Sequence, residues 1–126
     1  MILSIIIPVY NEEKTIIQIL EKISKNIQDK VKYEIIVIDD GSIDKTKKLL
    51  EDNKNLYNKL LVNSSNKGKG YSVKRGIESS SGSHIIFQDA DLEYNPEDFK
   101  KFERIFLEFD ADGIVGSRFV YSDYTR

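Results

Sequence analysis

The sequence predicts an α/β protein with three layers, a mainly parallel sheet lying between two layers of helices. Short apolar segments alternate with segments of helical periodicity along the chain. The apolar segments have no polar face, as expected of strands covered on both sides. Polar clusters follow the ends of successive apolar segments, which would put them on one edge of the sheet.

Met1 to Val9, with Ile2, Leu3, Ile5, Ile6 and Ile7, is rich in β-branched residues and reads as a buried strand. Pro8 and Asn11 break it, and Glu12 and Glu13 suit the positive end of a helix starting there. Ile16, Leu20, Ile23 and Ile27 give that helix a core-facing stripe. Tyr33 to Asp39 is a second two-sided strand, running into Asp39-Asp40-Gly41-Ser42. Ser42 or Asp44 can cap the next helix, whose Leu49 and Leu50 pack inward. Lys59 to Val62 is a third, shorter strand. The polar, glycine-rich loop from Asn63 to Gly70 leads into a short helix with Val73 and Ile77, closed by Gly82. The fourth strand runs from His84 to Asp89. Asn95-Pro96 is a strong helix start, and Phe99, Phe102, Phe106 and Phe109 share one helical face, which reads as core. Asp112 to Ser117 is a fifth strand. With no repeat, low-complexity tract or linker, residues 1–126 form a single domain.

The bulk numbers exclude several classes. A net charge of −2 argues against a surface built for nucleic acid, which demands clustered cations. The absence of cysteine removes disulfides and thiolate metal sites and fits a reducing, cytoplasmic compartment. The run Ile5-Ile6-Ile7 is stopped by Pro8, far short of the roughly 20 residues of a spanning helix. The N-terminus lacks the pattern of a signal peptide.

The most informative stretch follows the fourth strand. Asp89, Asp91 and Glu93 stand at every second position, so an extended backbone throws their carboxylates to one side. Like charges that close call for a cation or a raised pKa, and hard oxygen ligands beside a cleft suit Mg²⁺ or Mn²⁺. A solvated acidic turn is the plain alternative. Three other clusters fall at carboxyl ends of strands: Pro8-Val9-Tyr10-Asn11-Glu12, Asp39-Asp40-Gly41-Ser42 and Gly116-Ser117-Arg118. Together they define a cleft.

Within that cleft Asp39 can accept hydrogen bonds from the N–H edge of a base, or else form a turn, a task that suits Asp40 better. Tyr10 offers a stacking face or simple packing. Asn66-Lys67-Gly68-Lys69-Gly70 resembles a phosphate-facing loop, although it is not a Walker loop. Arg118 can clamp a phosphate or make a surface ion pair. His84, at the opposite end of its strand, reads as structural. These parts suit a nucleoside diphosphate derivative and group transfer from it. Hydride transfer is disfavoured, because Gly-x-Gly-x-x-Gly does not follow the first strand.

The sequence resembles family 2 of the inverting glycosyltransferases, which have the GT-A fold. The matching pieces are Ser4 to Glu12, Ile38 to Thr46, Asn66 to Gly70, Gln88 to Glu93 and Val115 to Phe119, in family order. The run Asp89 to Asp98 and the Gly-Ser-Arg after strand five look most like the dolichyl- or undecaprenyl-phosphate mannose or glucose synthases. The resemblance implies a nucleotide-sugar donor, GDP- or UDP-linked, and a polyprenyl-phosphate acceptor at the cytoplasmic face of a membrane. It implies that Pro8, Tyr10, Asn11 and Glu12 line the nucleoside pocket, that Asp39 contacts the base, and that Lys69 and Ala90 lie near the nucleotide. Asp89, Asp91 and Glu93 would hold the metal, with Arg118 near the phosphates or acceptor, so that Asp89, Asp91 and Arg118 carry catalysis. An acceptor phosphate is itself an anionic nucleophile, which removes the need for a dedicated base; relatives with sugar acceptors use a downstream carboxylate.

Ile43 stands where the family usually has Thr, and Tyr71 where a small residue is common. Family members continue past the Gly-Ser-Arg strand with acceptor-binding elements, so the chain is expected to bind donor and metal with little transfer of its own. A non-catalytic nucleotide-sugar-binding fragment and a family 2 enzyme acting on a glycan stay open as alternatives. Sugar nucleotidyltransferases, haloacid dehalogenase-type phosphatases and receiver domains fit less well. The first want a glycine-rich loop after strand one, and the other two put their acids after the first strand.

Overall fold

In the computed structural model, described over residues 2–26, 32–87 and, as backbone alone, 118–120, five parallel strands form one sheet in the order β3-β2-β1-β4-β5. The strands are β1 (Ile2–Val9), β2 (Lys32–Asp39), β3 (Lys59–Val62), β4 (His84–Phe87) and β5 (Arg118–Val120). Between them run α1 (Ile16–Asn26), α2 (Thr46–Asp52) and α3 (Lys69–Ser79). The most apolar segment, β1, takes the centre, where both its faces are covered.

Alternation along the strands sorts the core into two layers. Leu3, Ile5, Ile7 and Val9 of β1 and Ile35 and Val37 of β2 pack with Ile16, Ile19, Leu20 and Ile23 of α1 and Leu50 of α2. On the other face Ile6, Ile36, Ile38, Ile85 and Phe87 meet Val73 and Ile77 of α3. Each aliphatic side chain so buried is worth about 1.5–3 kcal/mol over its exposed state, so these two faces dominate cohesion. Gly76 lets α3 lie close: a Cβ there would stand 2.7 Å from Ile6 Cγ2 and 2.8 Å from Ile38 Cδ1. Pro8 lies within this central strand, in register with Ile38 of β2.

Several expectations need correcting. Helix α1 begins at Ile16, not at Glu12, which with Glu13 lies in the preceding turn; the Glu12 carbonyl accepts from the Thr15 and Ile16 N–H groups. Gly82 does not close α3. The Ser80 N–H and hydroxyl both bond to the Ile77 carbonyl and end the helix. Gly82 instead lies against β1, where a Cβ would overlap Ser4 Oγ, and its N–H donates to that oxygen. Strand β5 opens at Arg118, in register with His84, the first residue of β4. That puts the Arg118 backbone at the amino end of the sheet, not at the carboxyl end expected of it. His84 is buried there, as expected of a structural residue, with Nδ1 3.0 Å from Ser83 Oγ. Ile27, the helix with Phe99 to Phe109, the strand over 112–117 and the acidic stretch with Asp89, Ala90, Asp91 and Glu93 lie outside the described residues.

Candidate functional site

Three loops meet at the carboxyl edge of β1, β2 and β3. The β1–α1 turn and the β2–α2 loop are fastened residue by residue. The Asn11 N–H donates to Ser42 Oγ at 2.9 Å, and Asn11 Oδ1 accepts from the Ile43 N–H at 2.9 Å. The Glu12 N–H donates to Thr46 Oγ1 at 2.9 Å. Glu13 donates its N–H to Asp44 Oδ2 at 3.3 Å and accepts from the Lys45 N–H at 3.0 Å. Asn11 holds the turn with φ +51°, the one positive value at a non-glycine among the described residues. Asp44 takes the role foreseen for a helix cap from one position outside: its Oδ1 accepts from the Thr46 N–H at 2.9 Å, whereas Ser42 turns to Asn11. Burial pushes the Asp44 carboxyl up, but bonds from the Thr46 hydroxyl and N–H and the Glu13 N–H outweigh it and leave its pKa lowered.

The paired acids at the end of β2 divide their work. Asp39 is 1% exposed; its Oδ1 accepts from the Ser42 N–H at 3.1 Å, while Oδ2 is buried with no hydrogen-bond partner among the described residues. Asp40 is spent on the glycine-rich loop. Its Oδ1 accepts from the Lys67 N–H at 2.7 Å and Asn63 Nδ2 at 2.8 Å, and its Oδ2 from the Gly68 N–H at 2.9 Å. Burial raises the Asp40 pKa, and these donors more than offset it, holding the carboxyl below its ordinary range. Asn63 passes the link on, donating to Ser72 Oγ and accepting from Arg75 Nη1, both at 2.9 Å. Gly41, at φ +72°, lets the loop close over it: a Cβ would overlap the Ser65 carbonyl carbon and stand 2.7 Å from Asn66 N. Gly68, at φ +99°, precedes the first turn of α3.

The structure therefore brings together Pro8, Tyr10, Asn11, Glu12 and Asp39 of the expected site, with Lys69 opening α3 beyond the same loop. Tyr10 is 42% exposed on the rim, with Ile43 and Tyr71, and Lys67 Nζ lies 6.0 Å from the Tyr71 ring centroid. Glu12 is engaged on two sides, through Thr46 and through its Oε2, which accepts from Thr15 Oγ1 at 3.0 Å. Sequence reasoning missed Asn63, Ser72, Arg75 and Thr46, which hold the loops in place; no local spacing marks contacts that depend on strands far apart in sequence. Among the described residues no three metal-ligating side chains gather. The expected metal acids come after β4, which is described as far as Phe87, level with Ile6 of β1 and two positions before Asp89. Their residue types, three carboxylates in a row of alternate positions, fit a hard divalent cation.

Comparison with known proteins agrees with this layout. A model of glycosyl transferase family 2 matches residues 4–126. A dolichyl-phosphate beta-glucosyltransferase of Dictyostelium discoideum is 40% identical over 129 residues, covering 92% of this chain and 39% of that protein. S. aureus TarS in complex with UDP-GlcNAc superposes with a TM-score of 0.74 at 29% identity, covering 87% of this chain and 32% of that one. Glucosyl-3-phosphoglycerate synthase from Mycobacterium tuberculosis, solved with Mn²⁺ and UDP, gives a TM-score of 0.65 at 25% identity over 89% of this chain and 40% of that one. The chain thus spans well under half the length of each of these relatives.

Proposed function

Because the chain belongs to glycosyl transferase family 2 and has its GT-A fold, we propose that it is the donor-binding part of a hexosyltransferase. The donor is a UDP- or GDP-linked sugar, and the acceptor a polyprenyl phosphate at a membrane surface. The observation that carries this reading is the fastening of three polar loops on one edge of the sheet, with two strand-end carboxylates between them.

On this reading the nucleoside lies over Pro8 to Glu12, with the exposed Tyr10 ring as its stacking face. The imino N–H of uracil or guanine meets Asp39, which has an oxygen to spare among the described residues, whereas both oxygens of Asp40 are taken by the loop. The diphosphate approaches the loop 66–70, where Gly68 and Gly70 keep the backbone accessible and Lys69 adds positive charge. Asp89, Asp91 and Glu93 would hold Mg²⁺ or Mn²⁺, which when bound stabilises negative charge on the departing diphosphate. The acceptor phosphate oxygen attacks the anomeric carbon from the face opposite the diphosphate, so configuration inverts and no protein base has to take a proton. The mycobacterial synthase was solved with Mn²⁺ and UDP, and the Dictyostelium relative is named for dolichyl phosphate; both support these choices of metal, donor and acceptor. The Arg118 backbone lies at the other end of the sheet, so Arg118 is given no part.

Calorimetric titration with UDP- and GDP-sugars, with and without Mn²⁺, tests the reading. Binding that needs the metal and is abolished in Asp91→Ala is expected; no binding by the wild-type chain, or undiminished binding by the variant, sinks it. Asp39→Asn, titrated in the same way, is expected to bind more weakly, and unchanged affinity would remove Asp39 from the base contact.

A further inference from the structure

We infer that Asn11 is a positioning residue, which sets Tyr10 at the rim of the cleft without itself touching the donor. The inference rests on the donor-site reading above and assigns to Asn11 a task other than the pocket lining that the family resemblance implies. Its backbone sits at φ +51°, a region that costs most L-residues about 1 kcal/mol or more and that Asn enters most readily. Two hydrogen bonds hold it there, its N–H to Ser42 Oγ and its Oδ1 from the Ile43 N–H, each 2.9 Å. The second bond fixes the side-chain amide: a backbone N–H can only meet an oxygen, so Oδ1 faces Ile43 and NH₂ faces away.

The consequence falls on Tyr10. The residue before a left-handed turn leaves the strand in a direction set by that turn, and Val9, just ahead, is pinned by the Asp40 N–H at 2.8 Å to its carbonyl. Tyr10 is therefore held between a fixed strand end and a fixed turn, its side chain among the few large exposed ones. Asn11 also latches the loop carrying Ile43 and Ser42, whose N–H in turn orients Asp39 Oδ1. One side chain thus aligns the stacking residue with the strand-end acid beside it.

The competing assignment gives the Asn11 NH₂ a hydrogen bond to the donor, and a three-variant series separates the two. Asn11→Asp keeps the acceptor for Ile43 and the tolerance of positive φ but has no NH₂ group. Asn11→Gly keeps only the backbone freedom, and Asn11→Ala keeps neither. Amide exchange of Ile43, calorimetric affinity for UDP and GDP with Mn²⁺, and urea unfolding are read on each. Positioning predicts that Ile43 protection is lost in the Gly and Ala variants and kept in Asp. Affinity should fall about tenfold in Ala, which is about 1.4 kcal/mol, and stay within about threefold in Asp. If Asn11→Ala does not fold, the Asp and Gly pair alone gives the ordering. An Asp variant as weak as Gly, with Ile43 still protected, hands Asn11 to the donor and overturns the inference; so does a flat affinity series. A wild-type chain that binds neither nucleotide overturns the donor site itself, and with it the purpose given to Asn11.

Discussion

Asp39 and Asp40 are neighbours in sequence and serve opposite faces of the sheet. Asp39 continues the row of Ile35 and Val37, which face α1, while Asp40 bonds to Asn63, Lys67 and Gly68 on the side of α3. Strand alternation brings this about, since successive side chains leave on opposite sides. One acid braces the turn into α2 and the other tethers the glycine-rich loop to the end of β2.

Asp40→Asn should loosen that loop. An amide keeps the size of the carboxylate but must point an NH₂ group at a donor, and charge-assisted bonds to backbone N–H groups are lost. We expect a loss of about 1–3 kcal/mol in urea unfolding and faster exchange of the Lys67 and Gly68 amides. Unchanged unfolding and exchange would show that the loop stands without Asp40.

Acid stability should depend on three carboxylates. Glu34 accepts from Ser4 Oγ at 2.8 Å and from Ser81 N–H and Oγ, both at 2.9 Å, with Lys59 Nζ at 3.4 Å. Burial raises its pKa, and the Ser81 N–H, the two hydroxyls and the Lys59 charge outweigh burial, leaving it lowered, as for Asp40 and Asp44. Each group binds its proton more weakly folded than unfolded. Its stabilisation is therefore complete above the unfolded value, 4.5 for Glu34 and 3.8 for the two Asp, and is lost as pH falls through the folded value. Urea unfolding from about pH 7 to about pH 2 should show a falling acid limb that is shallower in Glu34→Gln. An identical limb in that variant would remove Glu34 from the account.

What the sequence made legible was what local pattern controls. Strands with two apolar faces, such as Ile5 to Ile7 and Ile35 to Ile38, have one stable home, the inside of a parallel sheet, and their carboxyl ends put Tyr10 and Asp39 on one edge. Glycine was harder. Gly82 reads as a helix stop, yet it is there because β1 leaves no room for a Cβ, a fact about a strand nearly 80 positions away in the chain. The tether from Asp40 to Gly68, 28 residues on, is invisible for the same reason: it exists only once β2 and β3 are side by side. Asn11 reads as a strand breaker, and only the structure shows what it holds.

The glycines at the site should respond differently to a methyl group. Gly41→Ala meets both a left-handed φ of +72° and the Ser65–Asn66 backbone, which is not a flexible side-chain end. A loss of about 2 kcal/mol or more is expected. Gly70 has open space within 4 Å of its Cβ position and lies in the first turn of α3. Gly70→Ala should therefore stabilise by up to about 1 kcal/mol through helix propensity. Melting curves of the two variants check the contrast, and equal effects would mean that loop packing over Gly41 is not as tight as drawn.

The closest packing between layers gives the sharpest test. Ala at position 76 would press on Ile6 Cγ2 and Ile38 Cδ1 beneath α3, and relief requires the helix to lift or the isoleucines to leave their rotamers. Gly76→Ala alone is expected to cost about 1–3 kcal/mol, even though Ala is the better helix former. Ile38→Val removes the Cδ1 that stands 2.8 Å from the added methyl, at a cost of its own of about 0.5–1.5 kcal/mol. If the clash with Cδ1 is what destabilises, the double variant should be more stable than the sum of the single effects predicts, with a coupling of at least about 0.5 kcal/mol. Additive effects in that cycle would mean that the strain is taken up by Ile6 or by movement of α3, and the tight seat of the helix on the β1–β2 face would have to be redrawn.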